Sequence, residues 1–487
     1  MAKRVCVIDI GSNSVRMVVY EKTSRFSFHI LHEAKSKVRI SQDSYQNNNN
    51  LQDKPMQRTF DALSDFVSIA QSFKVRKMLC VATSALRDAP NKSEFISKVS
   101  QKLKLNIKVI DGEKEAYFGA LACANLLPTQ NNALSVDIGG GSTEFTLINE
   151  YDISHKISLK LGTVRIKELF FDTNRQEEAS SYIDSILEQI DSSISPSKLI
   201  AIGGTFRALS SAIMLSSEYP LSKLHAFEYD KETLEKLLSN IAVADEKKLK
   251  KLYIESNRFD IIKAGALIVE RILAKFSIDS VVTSGVGVRE GVYLSDLLRN
   301  SKGRFPLNYN TSMRYILDSY VEDKNYSNQL NKVVKNLFNL TQEKHSLDAK
   351  YKRLLAISAK LYPAGASLHF YSQNKHSYYL IQTALEYGYT HQEIILIATL
   401  TKFVKNKTLS QKHMQKYSVL LPQKEVVETL SALLSIAIAL LSHKPRNIDF
   451  DLVKKEGEIY VESKRTLHLA KDAIKKITTT KDFKINF

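Results

Sequence analysis

Asp137-Ile138-Gly139-Gly140-Gly141-Ser142-Thr143-Glu144 follows the apolar run Ala133–Val136 and precedes a second, Phe145–Ile148. The pattern predicts strand, glycine turn, strand. Three consecutive glycines remove side-chain bulk where several backbone N–H groups must converge, and the concave nest they form is able to wrap a phosphate. The flanking Asp137 and Glu144 are acceptor-only groups when ionised, and hard oxygen ligands of this kind hold a cation directly or through its waters. Phosphate with Mg²⁺ is the first ligand expectation, although an ordinary glycine hairpin gives the same local pattern.

A second copy of the pattern favours the ligand. Val5–Ile8 runs into Asp9-Ile10-Gly11-Ser12-Asn13-Ser14, and the run Val15–Tyr20 resumes beyond it. The Asp-Ile-Gly-Ser turn repeats the Asp-Ile-Gly-Gly turn, with Ser12, Asn13 and Ser14 as small donors where the second loop has glycines. Paired loops at this spacing resemble those of the actin, Hsp70 and sugar-kinase (ASKHA) superfamily, in which two ribonuclease-H-like lobes clamp a phosphoryl chain and a cation. The fold class expected is α/β with two actin-like lobes.

The 487 residues are enough for roughly three to four domains, and 44% hydrophobic content is that of a globular protein. Lys and Arg number 69 against 52 Asp and Glu, for a net charge of +17. The surplus is uneven, because residues 301–487 hold 29 Lys and Arg against 16 Asp and Glu. A basic surface suits a polyanion such as nucleic acid, a phosphate polymer or an anionic membrane, and also serves plain solubility. Cys6, Cys80 and Cys123 sit in apolar runs and read as buried reduced thiols, not disulfides or metal ligands. No signal-peptide pattern opens the chain, and the longest apolar run, Leu430–Leu441, is too short for a bilayer span, so a cytoplasmic protein with no membrane partner is expected.

Between the two loops, Lys77–Val81 reads as a strand ending in Ala82-Thr83-Ser84-Ala85-Leu86-Arg87-Asp88-Ala89. The planar fork of Arg87 suits phosphate, and the competing reading is a surface ion pair with Asp88. Ile107–Ile110 is the next strand, and Asp111-Gly112-Glu113-Lys114-Glu115-Ala116 then opens a helix. Acids in a first helical turn usually complement the dipole. Their place one strand before the Asp137 loop also admits a general base.

Together these stretches resemble the exopolyphosphatase and guanosine pentaphosphate phosphohydrolase family, in order and in spacing. Leu159–Arg165, Ile202-Gly203-Gly204-Thr205, Arg258–Ile268 and Val288-Arg289-Glu290-Gly291 extend the likeness to about residue 300. The resemblance implies that Glu115 activates water and that Asp137, Glu144 and Asp9 surround Mg²⁺. It further implies that Gly139, Gly140, Gly141 and Ser142 bind phosphate, with Ser12, Asn13 and Arg87 on the opposite lobe and Arg289 near the cleft. Inorganic polyphosphate and guanosine penta- or tetraphosphate become the expected partners, in preference to nucleic acid, and a homodimer the expected assembly.

The chain departs from the family where Lys114 and Tyr117 replace an acid and an Arg, where the segment after Arg39 carries asparagines instead of glycines, and where Ser284-Gly285-Val286-Gly287 lacks an acid. These departures bear on substrate fit more than on the reaction. Ser41–Asn50 reads as a mobile loop, and the turn at Gly203 as either a third ligand-facing loop or a close helix-sheet contact.

After Pro306 the periodicity turns helical, from Met313–Val321 to Val426–Leu441, where longer family members carry a domain similar to HD-type phosphohydrolases. The stretch Leu361-Tyr362-Pro363-Ala364-Gly365 replaces the His-Asp pair such a metal site needs, so no working site is expected despite His369 and His376. From Asn447 two short strands, a helix and a last strand make a small α+β domain, whose lysines, with those of 402–416, are candidates to guide a long polymer. The expected domains are 1–120 and 121–300 for the lobes, 301–445 for the HD-like helical part and 446–487 for the α+β part. A catalytically weak polyphosphate or alarmone sensor, a sugar-kinase-type phosphotransferase and an actin-like filament protein are the alternatives.

Overall fold

The computed structural model describes residues 3–405, 408–477 and 483–487. The chain divides into two compact units, Met1–Tyr309 and Asn310–Phe487. In the first unit, β1 (Arg4–Ile10) is buried along nearly its whole length, as an uninterrupted apolar run requires of a strand covered on both faces. It pairs antiparallel with β2 (Val15–Lys22), which pairs antiparallel with β3 (Phe28–Ser36), and on its other edge runs parallel to β4 (Lys77–Ala82), followed by β5 (Ile107–Val109). The order is β3-β2-β1-β4-β5.

The second sheet repeats this plan. β6 (Ala133–Ile138), β7 (Thr143–Asn149) and β8 (Asp152–Leu159) form the antiparallel meander, β9 (Lys198–Ile202) lies parallel to β6, and β11 (Ser280–Thr283) lies parallel to β9. β10 (Glu228–Asp230) adds an antiparallel edge beyond β11. Leaving out β10, both sheets have the strand order 3-2-1-4-5 counted from their first strand, which is the actin-like, ribonuclease-H-like arrangement. Each central strand, β1 or β6, runs into the turn that bears its Asp-Ile-Gly loop.

The expected boundary at residues 120 and 121 falls inside a helix, Gly112–Leu126, which packs on β7 and β8 of the second sheet. Its small residues explain the placement, since a Cβ at Gly112 would collide with Ser158 on β8, and Gly119 faces Ile202 at 3.8 Å. The helix Val288–Leu297 packs against the same helix, and Gly291 is its point of closest approach, where a Cβ would overlap the carbonyl of Phe118. Ser41–Asn50, read from its asparagines as a mobile loop, is a run of hydrogen-bonded turns. Its Ser41 N–H and hydroxyl both donate to Ser12 O, at 3.3 and 3.2 Å.

In the second unit the predicted helices form, including Lys324–Leu340, Ala349–Leu361, His391–Lys402 and the buried Lys424–Leu440. No helix among the described residues is long and apolar enough to cross a membrane. The helical and α+β segments, expected as separate domains, share this compact unit. The helix His468–Lys475 packs on Lys424–Leu440, and Gln329 Nε2 donates to the carbonyls of Pro445 and Arg446 at 2.9 and 3.0 Å. β12 (Asp451–Lys455) pairs antiparallel with β13 (Glu458–Glu462), and β14 is only Ile485–Asn486, shorter than the five residues expected. Of the basic stretch 402–416, residues 406 and 407 lie outside the described residues.

Gly291→Ala is expected to cost about 1–3 kcal/mol, the usual range for a side chain forced into a filled contact. The check is the urea midpoint of the first unit's unfolding transition in the full chain, which should fall in the variant.

Candidate active site

The two loops are the same turn. Gly139 N–H donates to Ser142 O at 2.9 Å, and Gly11 N–H donates to Ser14 O at 3.2 Å. In both cases the loop carbonyls are then claimed from outside. Thr163 N–H bonds Gly139 O at 3.0 Å, Val164 and Arg165 N–H bond Gly140 O at 2.8 and 3.1 Å, and Arg165 Nε bonds Gly141 O at 2.9 Å. In the first loop Arg39 N–H takes Asn13 O at 3.0 Å and Ser41 N–H takes Ser12 O. A peptide unit whose carbonyl is fixed on one side presents its amide on the other. Among the described residues the N–H groups of Gly140, Gly141, Ser142, Ser12 and Asn13 have no protein acceptor, which leaves them for a ligand.

The loops face a cavity of about 380 Å³. Its wall includes every residue expected in the site except Arg87: Asp9, Ser12, Asn13, Glu115, Asp137, Gly139, Gly140, Gly141, Ser142, Glu144 and Arg289. Ser84 also lines it, and its buried hydroxyl has no hydrogen-bond partner. That hydroxyl converges with Ser12 Oγ and Tyr45 Oη on Gly141, where a Cβ would displace all three. Gly203 and Gly204 line the same wall, and a Cβ at Gly203 would lie 2.6 Å from Asp137 Oδ1 and 2.9 Å from the Ile138 carbonyl of β6, so both readings of that turn, ligand-facing and close helix-sheet contact, fit its position.

Glu115 is the fourth residue of the helix that Asp111 caps by accepting Lys114 N–H at 2.7 Å, and it points inward, 8% exposed. Burial, then the nearby Glu144 carboxylate, pushes its carboxyl well above the usual range, against the pull of Arg87. Arg87 Nη1 donates to Glu115 Oε2 at 2.8 Å and to Ile110 O at 3.3 Å. The structure thus places Arg87 behind the candidate base and off the cavity wall. It does not pair with Asp88, which is bound by Arg165 at 2.9 Å.

Asp137 and Glu144 are cross-strand partners on β6 and β7. Burial raises Asp137 to about 6, with Arg207 opposing and Asp9 adding. Burial and Asp137 raise Glu144 to about 7, and Ser158 Oγ donates to Glu144 Oε1 at 2.7 Å. Asp9 is raised by burial as well, with Arg289 opposing. No group of three or more His, Cys, Asp or Glu among the described residues forms a complete protein metal cage. The donor set still fits Mg²⁺, which is held by one or two carboxylates, its own waters and substrate phosphate, and which would relieve the mutual repulsion of these acids.

Sequence reading missed the cations. Arg16, Lys35, Arg207 and Arg258 line the cavity, and among the described residues none of their side chains has an ion-pair or hydrogen-bond partner. Burial and neighbouring arginines hold Arg16 down to about 10 and Lys35 down to about 8, and lower Arg207 and Arg258. Only Arg16 carried a readable signal, because it stands opposite Asp9 in the β1–β2 register as Glu144 stands opposite Asp137. Arg289 is occupied, its Nη1 donating to Glu33 Oε1 at 2.6 Å. Lys114 and Tyr117, the family departures, do not line the cavity.

Residues 17–300 match the model of the Ppx/GppA phosphatase family, and residues 310–480 that of Ppx/GppA phosphatase, domain III. A guanosine-5'-triphosphate,3'-diphosphate pyrophosphatase of Vibrio campbellii is 29% identical over 91% of this chain and 88% of its own length. A bifunctional 3-dehydroquinate synthase/phosphatase of Fusobacterium nucleatum is 32% identical over 57% of this chain, and the match spans 44% of that protein. Among solved structures, the Aquifex aeolicus Ppx/GppA family member superposes with a TM-score of 0.52 at 29% identity, covering 62% of this chain and 99% of that one. An exopolyphosphatase from Cytophaga hutchinsonii gives 0.56 at 24% identity over 60% and 97%, a likeness of fold.

The raised carboxyl of Glu144 carries a stability prediction. A folded pKa of about 7 against an ordinary glutamate value means that its contribution is fully present below about pH 4.5 and is lost as pH rises through 7. Glu144→Gln, which keeps an acceptor for Ser158, should therefore be more stable than the unsubstituted protein at pH 8, by on the order of 3 kcal/mol, and equal it near pH 4. Melting curves at the two pH values in metal-free buffer decide this.

Proposed function

The chain belongs to the Ppx/GppA phosphatase family of phosphohydrolases, and from that premise we propose that it removes the terminal phosphate of inorganic polyphosphate, of guanosine pentaphosphate, or of both. One observation carries the reading: four partnerless cations, Arg16, Lys35, Arg207 and Arg258, share a cavity with two loops of free N–H groups and with a buried carboxyl. A short anion would need only the loops. The spread of cations suits a ligand with several phosphates in series.

In this reading the free amides of Gly140, Gly141 and Ser142, with those of Ser12 and Asn13, receive the oxygens of the terminal phosphoryl group. Glu115 takes a proton from the attacking water, and its raised proton affinity makes it a stronger base than a surface carboxylate once ionised. The water oxygen bonds to phosphorus as the bridging P–O bond breaks, and the bridging oxygen leaves on the shortened chain, held by the arginines. Asp137 and Glu144, with Asp9, would hold Mg²⁺, which when bound supplies neutralising charge at the phosphate oxygens. Lys114 and Tyr117, the departures that favoured a sensor, stand off the cavity wall.

Phosphate release is to be measured with Mg²⁺ from long-chain polyphosphate and from guanosine pentaphosphate in parallel. Glu115→Ala should lose about 10²–10⁴-fold in kcat on whichever substrate is used. Arg207→Ala and Arg258→Ala should raise KM more than they lower kcat. Undiminished release by Glu115→Ala would overturn the assignment of the base. Mg²⁺ titrated into the protein at pH 6.5 should also release protons, and Glu144→Gln should release fewer, because metal binding to a half-protonated carboxyl expels its proton.

A further inference from the structure

The five-residue helix Ser84–Asp88 touches each part of the candidate chemistry. Thr83, just before it, donates its N–H to Ile10 O of the first loop at 3.2 Å. Ser84 Oγ lies over Gly141 of the second loop. Arg87 holds the Glu115 carboxylate at 2.8 Å. Asp88, the last residue, accepts from Arg165 Nη2 at 2.9 Å.

Arg165 completes the connection from the other half of the unit. Its Nε bonds Gly141 O at 2.9 Å, and its guanidinium lies 4.3 Å from the ring centroid of Tyr45, which stands in the turns 41–50. The side chain is 9% exposed and its partner Asp88 16%. The guanidinium therefore spans from the phosphate loop of one sheet to the helix that grips the base, with an aromatic face closing off water. Lysine keeps the charge but offers one flexible nitrogen in place of the rigid planar fork, so it does not hold the two acceptors at a fixed separation.

We propose that Arg165 and Asp88 are positioning residues: through the helix Ser84–Asp88 they fix the separation between the Glu115 carboxylate and the loop Gly139–Ser142. The proposal rests on the phosphohydrolase reading for its kinetic consequence, and its geometry is independent of that reading. A buried ion pair is poor evidence of stabilisation, because desolvation offsets its attraction. What it does supply here is a second tie between the base and the phosphate loop, beside the packing of the helix Gly112–Leu126 on β7 and β8, and in-line attack is sensitive to errors of about 1 Å in that separation.

The test is a double-mutant cycle of Asp88→Ala and Arg165→Lys in the full chain, on the substrate that is turned over. Each single variant should lower kcat by roughly tenfold or more, and in Asp88→Ala, which leaves the Arg165–Gly141 bond in place, KM should stay within about twofold. The double variant should be no worse than about the weaker single one, since both remove the same link. Unchanged kcat in Asp88→Ala, or effects that multiply, would overturn the proposal. Melting temperatures check that the fold persists, and Asp88→Asn replaces any alanine variant that unfolds.

If the unsubstituted protein hydrolyses neither substrate, the phosphohydrolase reading has failed and the link is judged by amide hydrogen exchange alone. Asp88→Ala, which touches neither stretch directly, should then speed exchange in both 112–116 and 139–145. Exchange unchanged in both would overturn it.

Discussion

The carbonyls of Gly139, Gly140 and Gly141 are all committed to donors outside their loop, and the character of the site depends on that. The donors are Thr163, Val164 and Arg165, and they come close enough because Gly162 has no side chain to keep them off the backbone of Gly140 and Gly141. With the oxygens turned away, the amides have one direction left, into the cavity. The first loop reaches the same state with different donors, Arg39 and Ser41, so the two halves share a physical solution without sharing the residues that enforce it. A glycine loop alone would be a turn; a glycine loop with its carbonyls occupied is an anion nest.

The charges around the loops are arranged in two frustrated groups. Burial and the neighbouring acids raise Asp137 to about 6 and Glu144 to about 7, while Arg16, Lys35, Arg207 and Arg258 line the same cavity with no ion-pair or hydrogen-bond partner among the described residues. The same register position accounts for both: Glu144 opposite Asp137 in one hairpin, Arg16 opposite Asp9 in the other. A duplicated hairpin has thus been given opposite charges at equivalent points, which polarises the cleft. A cation and a polyanion bound together would relieve both groups at once, and each would bind more tightly in the presence of the other.

Much of this was legible in sequence because it lies in local runs. The Asp-Ile-Gly turns are contiguous, and Glu115 sits at a fixed offset from its cap at Asp111. The pairing of Arg87 was not legible. Read linearly, Asp88 is its nearest acid, but neighbouring residues on a helix point about 100° apart and do not face each other, so each took a partner from a distant segment. Lys35, Arg207 and Arg258 come from three separate elements and meet only in the tertiary structure. The place of the helix Gly112–Leu126, within which the expected lobe boundary falls, was not legible for a related reason: periodicity finds the helix but not the sheet it packs on, which Gly112 and Gly119 decide by their lack of bulk.

Bulk charge was the least informative sequence signal about the site. The surplus of Lys and Arg lies after residue 300, yet the partnerless cations of the cavity all come from the nearly balanced first part of the chain. Several lysines of the second unit are already matched, Lys454 with Glu343, Lys455 with Glu462 and Lys484 with Glu458. What remains of the excess acts through a field that salt screens over about 8 Å under physiological conditions. It can raise the local concentration of a polyanion and its rate of arrival. It cannot orient one phosphoryl group against one carboxylate, which needs contact-range partners, and the candidates for that part are the half-buried arginines and the loop amides of the first unit.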